Sequence, residues 1–297
     1  MSLLKRSVTL FLFVAVMGCS ATPSKSASDY VAAPAVSDTA RNLKLPFDTY
    51  KRSLADVYLI EAAEDTLMQD CLKEKGIGWA LVPRIGGHDV DPPNRQRYGI
   101  IEPEVAKRFG YHMPPDAPQV ARHAAEKDDR RSKLNRRERT AAYGASGTGG
   151  CWSQARGELL KHAPKGNYDR LQGLSLRIFR ASRKDAAVRR SFLTWSACMR
   201  EKGFRYRDPL DAASDSRWYT SETPSVQEQD AATTDVRCKR QTGVVAVWST
   251  AETRMQQAVI HAHAAEFRDF KASKCRYLEA ARRVLSRRAG RGSARSG

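Results

Sequence analysis

No stretch of this 297-residue chain alternates apolar and polar residues for long enough to claim a strand, so no sheet is expected. Metal-ligand patterns are scarce too. There is no CxxC and no HExxH, and His261 and His263, two apart, would point about 200° apart on a helix. Asp89-Val-Asp91 offers two loop carboxylates, but Pro92-Pro93 follows and the downstream Glu of a calcium loop is missing. The glycine-rich run around Ser146 lacks the second glycine of a nucleophile elbow and the Gly-Lys-Ser/Thr of a phosphate loop. Neither a metal nor a cofactor is therefore expected. Acidic residues are few: 33 Asp and Glu face 51 Lys and Arg, for a net charge of +18. Such a chain is drawn to anionic surfaces such as phospholipid, wall polymer or nucleic acid, unless the charge is no more than a solvated basic face.

Long apolar runs are also lacking, apart from Val8 to Met17. That run follows Lys5-Arg6, has the length of a signal h-region and is too short to span a bilayer. It ends in Val16-Met17-Gly18-Cys19, which looks like a bacterial lipobox although Met17 is larger than usual at its position. Cleavage before Cys19 would leave a thiol carrying diacylglycerol, and two acyl chains give stable anchoring. The alternative is an ordinary secretory signal cut after Ala21. The expected organisation is a signal peptide over 1–18 and a disordered lipid-anchored tether over 19–45. Two helical units over 46–165 and 166–285 would follow, the second with the long C-terminal helix, then a disordered basic tail over 286–297. The expected location is the outer face of the cell membrane.

Of the six cysteines, five remain once Cys19 is set aside, and an oxidising compartment favours disulfides among them. Parity leaves one thiol over, and spacing alone leaves the pairing open. A repeat narrows it. Cys71-Leu-Lys-Glu-Lys-Gly-Ile77 returns as Cys198-Met-Arg-Glu-Lys-Gly-Phe204. Each copy closes a helical pattern one turn before a terminating glycine. The repeat suggests that each motif cysteine pairs with the next in the chain, Cys71 with Cys151 and Cys198 with Cys238. Cys275 is then left over: Lys274 and Arg276 beside it could make it a reactive thiol, while its place near the Phe270/Leu278 face favours a buried inert one.

Helical periodicity covers most of the rest. A pattern starts at Pro46 and runs to Gly76, and Glu102-Pro103 opens a short helix to about Phe109. Residues 119–139 are intensely charged, with a thin apolar face. Further helices are expected from Cys151 to about His162, over 168–183 and over 185–202. Ser225-Val-Gln-Glu228 reads as a capping box that opens the Cys238 helix. From Val244 a seam of Trp248, Ala251, Met255, Ala258, Ala262 and Ala265 steps by four and three, then shifts to Phe267, Phe270 and Leu278. As one helix over 244–285 it would be about 63 Å long, so it must project or fold back. The fold class is all-α: a disulfide-stapled bundle of two loosely repeated units with a long C-terminal helix.

The best binding cluster is aromatic and basic: Arg97-Tyr98, Tyr111-His112, Arg205-Tyr206-Arg207 and Trp218-Tyr219. All lie in loops after the two Cys–Gly motifs. Rings flanked by arginines can hold sugars, anionic polymers or nucleic acid, but the same rings can also plug loops onto helices.

Several fragments give the chain a resemblance to a family. They are Cys71 with Gly76, Arg97-Tyr98-Gly99, Phe109-Gly-Tyr-His112, Gly150-Cys151, Trp195 to Cys198-Met199 with Gly203, Arg237-Cys238 and Thr242-Gly243-Val244. Spread over most of residues 50–270, they resemble the exported Ala/Arg-rich lipoproteins of actinobacteria. The resemblance implies an envelope location and a helical, cysteine-containing architecture, and it carries over no catalytic residue. The charged insert at 119–139 and Cys275 depart from the pattern.

Two readings follow. The first is a non-enzymatic, lipid-anchored protein whose basic surface contacts anionic lipid, wall polymer or an envelope protein. The second is an envelope hydrolase with a site in the loops after Gly76 and Gly203, for which Glu102, Tyr111 and His112 are the first residues to test. A third, nucleic-acid binding, has charge in its favour and export against it.

Overall fold

A computed structural model describes residues 33–87, 90–164 and 166–293, with side chains described as far as residue 289. The expected signal peptide, Cys19 and Asp89 lie outside the described residues. Among those described the fold is all-α, and the only ladder contact is an isolated bridge between Arg97 and Gly99.

The chain enters through α1 (Asp38–Arg41) and a 3-10 turn over Pro46–Thr49, then forms α2 (Leu54–Glu74). The expected helix from Pro46 thus breaks near Lys51, and Ser53 starts it afresh with a reciprocal capping box to Asp56. The expected tether is not free from residue 33 onward. Ala40 and Leu45 are buried, and the Ser37 N–H donates to Glu102 at 2.8 Å.

Four helices follow: α3 (Pro103–Phe109), α4 (Pro118–Ser132), α5 (Arg136–Tyr143) and α6 (Gly150–Leu160). No residue of α4 is buried, in keeping with its thin apolar face. Next come α7 (Tyr168–Ser182), α8 (Ala186–Glu201), the short α9 (Pro209–Ala213), a 3-10 turn over Ser216–Tyr219 and α10 (Val226–Thr242).

The long terminal pattern divides. α11 (Val244–Ala262) and α12 (Ala264–Ser293) meet at His263, whose φ of −123° and ψ of 37° leave the helical region. The pattern therefore folds back, close to where the apolar seam changes phase. Helix α11 packs on α7 and α8, while α12 packs on α2 and α6. Residues 286–293, expected as an unstructured tail, continue α12. Cys275 sits on the exposed side of that helix, contrary to the buried position expected for it.

Two disulfides staple the bundle, Cys71–Cys151 and Cys198–Cys238, each with Cα atoms 5.8 Å apart. The repeat around them is structural. Gly76 and Gly203 have φ of 72° and 89°. In the first copy Ile77 N donates to Leu72 O at 2.9 Å and Gly76 N to Lys73 O at 3.0 Å. In the second, Phe204 N donates to Met199 O and Gly203 N to Arg200 O, both at 3.0 Å. Each is a Schellman cap, and the conservative Leu/Met and Ile/Phe exchanges are the pair that packs across it. The likeness extends beyond the seven residues. Gln69, two before Cys71, donates to Trp79 O at 2.6 Å; Ser196, two before Cys198, donates to Tyr206 O at 2.6 Å. Three residues after the second cysteine, Gln154 and Gln241 set their carboxamides 3.2 and 3.3 Å from the Sγ atoms of Cys71 and Cys198. A disulfide sulfur has no proton to donate, so these are matched contacts of the two copies rather than hydrogen bonds.

Two cores lie under the staples. Leu72, Met68, Trp79 and Cys151 form one; Trp195, Met199, Trp248, Tyr98 and Cys238 form the larger other. Helix α3 packs on α10, so the elements are interleaved along the sequence.

Candidate functional site

The aromatic and basic loop residues are largely inside the protein. Tyr98 is 1 % exposed, and its hydroxyl donates to Glu252 Oε2 at 2.9 Å. Arg97 clasps the same carboxylate through Nε at 2.9 Å and through a second guanidinium nitrogen. Gln256 donates to Glu252 Oε1 at 2.9 Å and accepts from Phe47 N at 2.8 Å. Glu252 itself has no exposure, so its charge is borne by Arg97. Burial, and then Glu252, push the Tyr98 phenol well up. Beside this knot Lys51 donates to Ser175 Oγ at 2.5 Å, and burial with the Arg97 charge lowers the lysine to about 8. A serine and a depressed lysine can make a nucleophile and base, but Ser175 is 2 % exposed, and closed to a substrate it acts as a tie between helices.

Tyr111 is buried, stacks on Trp218 and points its hydroxyl toward Asp235. Asp235 is sealed in an ion pair with Lys239 at 2.9 Å and accepts from Trp195 Nε1 at 2.9 Å. His112 bonds Glu228 Oε1 through Nδ1 at 2.8 Å and Ser221 O through Nε2 at 3.0 Å. Glu228 does not close the expected capping box. Ser225 still caps Glu228 N, but the carboxylate turns to Tyr111 N at 2.7 Å and to His112. Glu102, the acid named for the hydrolase reading, is buried against Arg95 at 2.6 Å; with Tyr111 and His112 it lines one cavity of about 30 Å³, so the three residues come together, but around a space of only about one water molecule.

Tyr206 and Trp218 also face inward. The Tyr206 hydroxyl donates to Asp215 at 2.9 Å and is pushed up to about 12 by burial and by that carboxylate. Trp218 Nε1 donates to Ala212 O at 2.8 Å. Only Tyr219, Arg205 and Arg207 stand out to solvent, and Arg207 is paired with Asp211. The expected stacking face does not assemble, because most of its rings fill the second core. Glu252, Gln256, Asp235 and Lys239, charged or polar side chains buried on helices, carry no signal in the sequence that marks them as interior.

Two other surfaces stand out. The first is a pair of open depressions, one beside each disulfide. Lys75, Arg136, Arg137, Thr140 and Gln154 line one of about 750 Å³ against α5 and α6. Thr233, Arg237, Arg240 and Gln241 line one of about 490 Å³ on α10, next to Pro103 at the start of α3. Among the described residues none of these five cations meets a carboxylate.

The second is a narrower cleft of about 210 Å³ between α2 and α4. Glu61, Asp65 and His123 meet there. Lys127 pairs with Glu61 at 2.8 Å and Arg130 with Asp65 at 2.8 Å. His123 Nδ1 bonds Pro83 O at 3.0 Å, which fixes its proton there, and Nε2 lies 3.8 Å from Glu61 without a hydrogen-bond partner. Glu64, at the same cleft, is raised by burial. Among the described residues no group of three His, Cys, Asp or Glu side chains is placed to hold a metal ion.

Comparison with protein-family models, with curated proteins and with solved structures finds no match to this chain. What the coordinates define is a class of architecture, an all-α bundle stapled by two disulfides at equivalent helix ends.

Proposed function

We propose that this chain is a lipid-anchored, non-enzymatic protein of the cell envelope that contacts anionic components through its basic surface. The observation that carries the reading is the pair of depressions beside the staples, where Lys75, Arg136, Arg137, Arg237 and Arg240 stand exposed and uncompensated. Buried cations in this protein, such as Arg97 and Lys239, are matched by carboxylates; these five are not. Unpaired guanidinium groups in a concavity suit phosphate and carboxylate oxygens. The disulfides agree with an oxidising, exported setting, and the Val16-Met17-Gly18-Cys19 stretch supplies the anchor. Fatty-acid labelling of intact cells tests the anchor: label is expected on the wild type and absent from Cys19→Ala, and label on the variant contradicts it. Crosslinking in the same cells tests the contact, with recovery of anionic polymer or lipid as the expected result.

A second reading, an envelope hydrolase, is favoured by one observation, the meeting of Glu61 and His123 in the α2–α4 cleft. Its site would then lie on helices rather than in the loops where the sequence placed it. Glu61→Gln and His123→Asn would abolish any envelope-polymer hydrolysis on this reading. Hydrolysis that survives both removes it.

A further inference from the structure

We infer that two basic depressions, one beside each disulfide, are anion sites that take acidic groups of a repeating wall polymer. This rests on the envelope-contact reading and specifies where and how often the contact is made.

The two depressions share their parts. Each has a pair of unpaired arginines, Arg136 and Arg137 in one, Arg237 and Arg240 in the other. Each has a threonine hydroxyl, Thr140 or Thr233. Each is walled by the glutamine three residues after the second cysteine, Gln154 or Gln241, whose amide rests on the disulfide. Each lies where the second helix of the staple, α6 or α10, meets a shorter helix, α5 or α3. The arginines stand on α5 in the first depression and on α10 in the second, and the glutamine beside the disulfide forms one wall of each.

The donor set defines the ligand. Guanidinium forks and a hydroxyl offer N–H and O–H donors, and the arginines offer no acceptor. An oxyanion such as a phosphodiester or a carboxylate satisfies them. Lys75 and the first residue of α6, Gly150, add positive potential to the first depression. Glu138, next to Arg137, accepts from Asn135 N at 3.0 Å and keeps its charge, but Lys75, Arg136 and Arg137 together outnumber it. Two such depressions on one chain match a ligand whose charge recurs along its length, which favours an anionic polymer over a single headgroup.

The test is stoichiometry, with linear tripolyphosphate as the probe at low salt, followed by side-chain NMR of arginine and by calorimetry on the mature soluble chain. Two sites are expected in the wild type. One is expected in Arg136→Gln/Arg137→Gln, one in Arg237→Gln/Arg240→Gln, and none in the quadruple variant. Arg282→Gln/Arg283→Gln removes equal charge from the exposed face of α12 and should keep both sites. All four arginines are exposed, so unchanged thermal unfolding is expected and confirms that each variant is folded. If the α12 control loses as much binding as the depression variants, attraction is diffuse and the two-site inference falls while envelope contact stands. If the wild type binds no tripolyphosphate, both fall. A second arm compares purified anionic wall polymer with phosphatidylglycerol vesicles. At least a tenfold affinity loss on polymer is expected for the quadruple variant. A loss seen on vesicles alone overturns the polymer as occupant.

Discussion

The ring of His112 lies between two acceptors, with Nδ1 2.8 Å from Glu228 Oε1 and Nε2 3.0 Å from Ser221 O. A carboxylate and a carbonyl can only accept, so both bonds are made at once only while both ring nitrogens carry protons. The ring then pins the turn around Ser221 to α10 and to the end of α3. Glu228 has other work besides, since its Oε1 also accepts from Tyr111 N at 2.7 Å.

The pair makes stability depend on pH. Burial opposes the charge on His112, but the bonds to Glu228 and Ser221 outweigh it and raise the group above its ordinary 6.5. A raised folded value means that the contribution is whole below 6.5 and is lost as pH climbs through the folded value. Thermal unfolding of wild type and His112→Gln should therefore differ most below pH 6.5 and converge as pH climbs through the raised value. A gap that widens with pH would reverse the assignment.

The staples should be worth different amounts. By chain entropy, closing loops of 80 and 40 residues contributes about 4.5 and about 4 kcal/mol as upper figures. Cys71→Ser/Cys151→Ser and Cys198→Ser/Cys238→Ser should each lower the urea midpoint, the first by slightly more. A variant pair with an unchanged midpoint would mean that its disulfide closes nothing the fold does not already hold.

Glu252 is buried and relies on Arg97. Arg97→Met would strand the carboxylate and should cost about 3–5 kcal/mol in denaturant unfolding. Arg97→Met/Glu252→Leu should recover much of that, because no charge is left unmatched, although Tyr98 and Gln256 lose their acceptor. If the double variant is no better than the single, the two residues do not act as a pair.

The glycines of the repeated caps are needed for their backbone alone. A Cβ on Gly76 or Gly203 would meet nothing within 4 Å, yet both hold positive φ. Alanine at either should cost about 1 kcal/mol, and about 2 together, by equilibrium unfolding. Equal and additive costs are expected from two copies of one cap.

Much of the architecture was legible because it is written in local terms. Gly76 and Gly203 announce helix ends, Pro103 opens α3, and the motif cysteines point to their partners once the repeat is seen. The site was not legible for a physical reason. An arginine beside a tyrosine reads alike whether it faces solvent or a carboxylate 155 residues away, as Arg97 does Glu252. Glu228 has the spacing of a local cap, but Tyr111 N and His112, more than a hundred residues away, take its carboxylate instead. The break at His263 hid in a seam of alanines, of which Ala258, Ala262 and Ala265 are exposed and hold nothing. The cations that do face out were spread over α5, α10 and the end of α2, and only the fold gathers them.

The most direct measurement is retention of the mature protein on purified anionic wall polymer as sodium chloride is raised. Envelope contact through the exposed cations predicts tight retention at about 20 mM and release by about 500 mM, where charges are screened within a few ångströms. Arg136→Gln/Arg137→Gln and Arg237→Gln/Arg240→Gln should each move the release point to lower salt. Retention that ignores salt, or no retention at the lowest salt, would contradict the account.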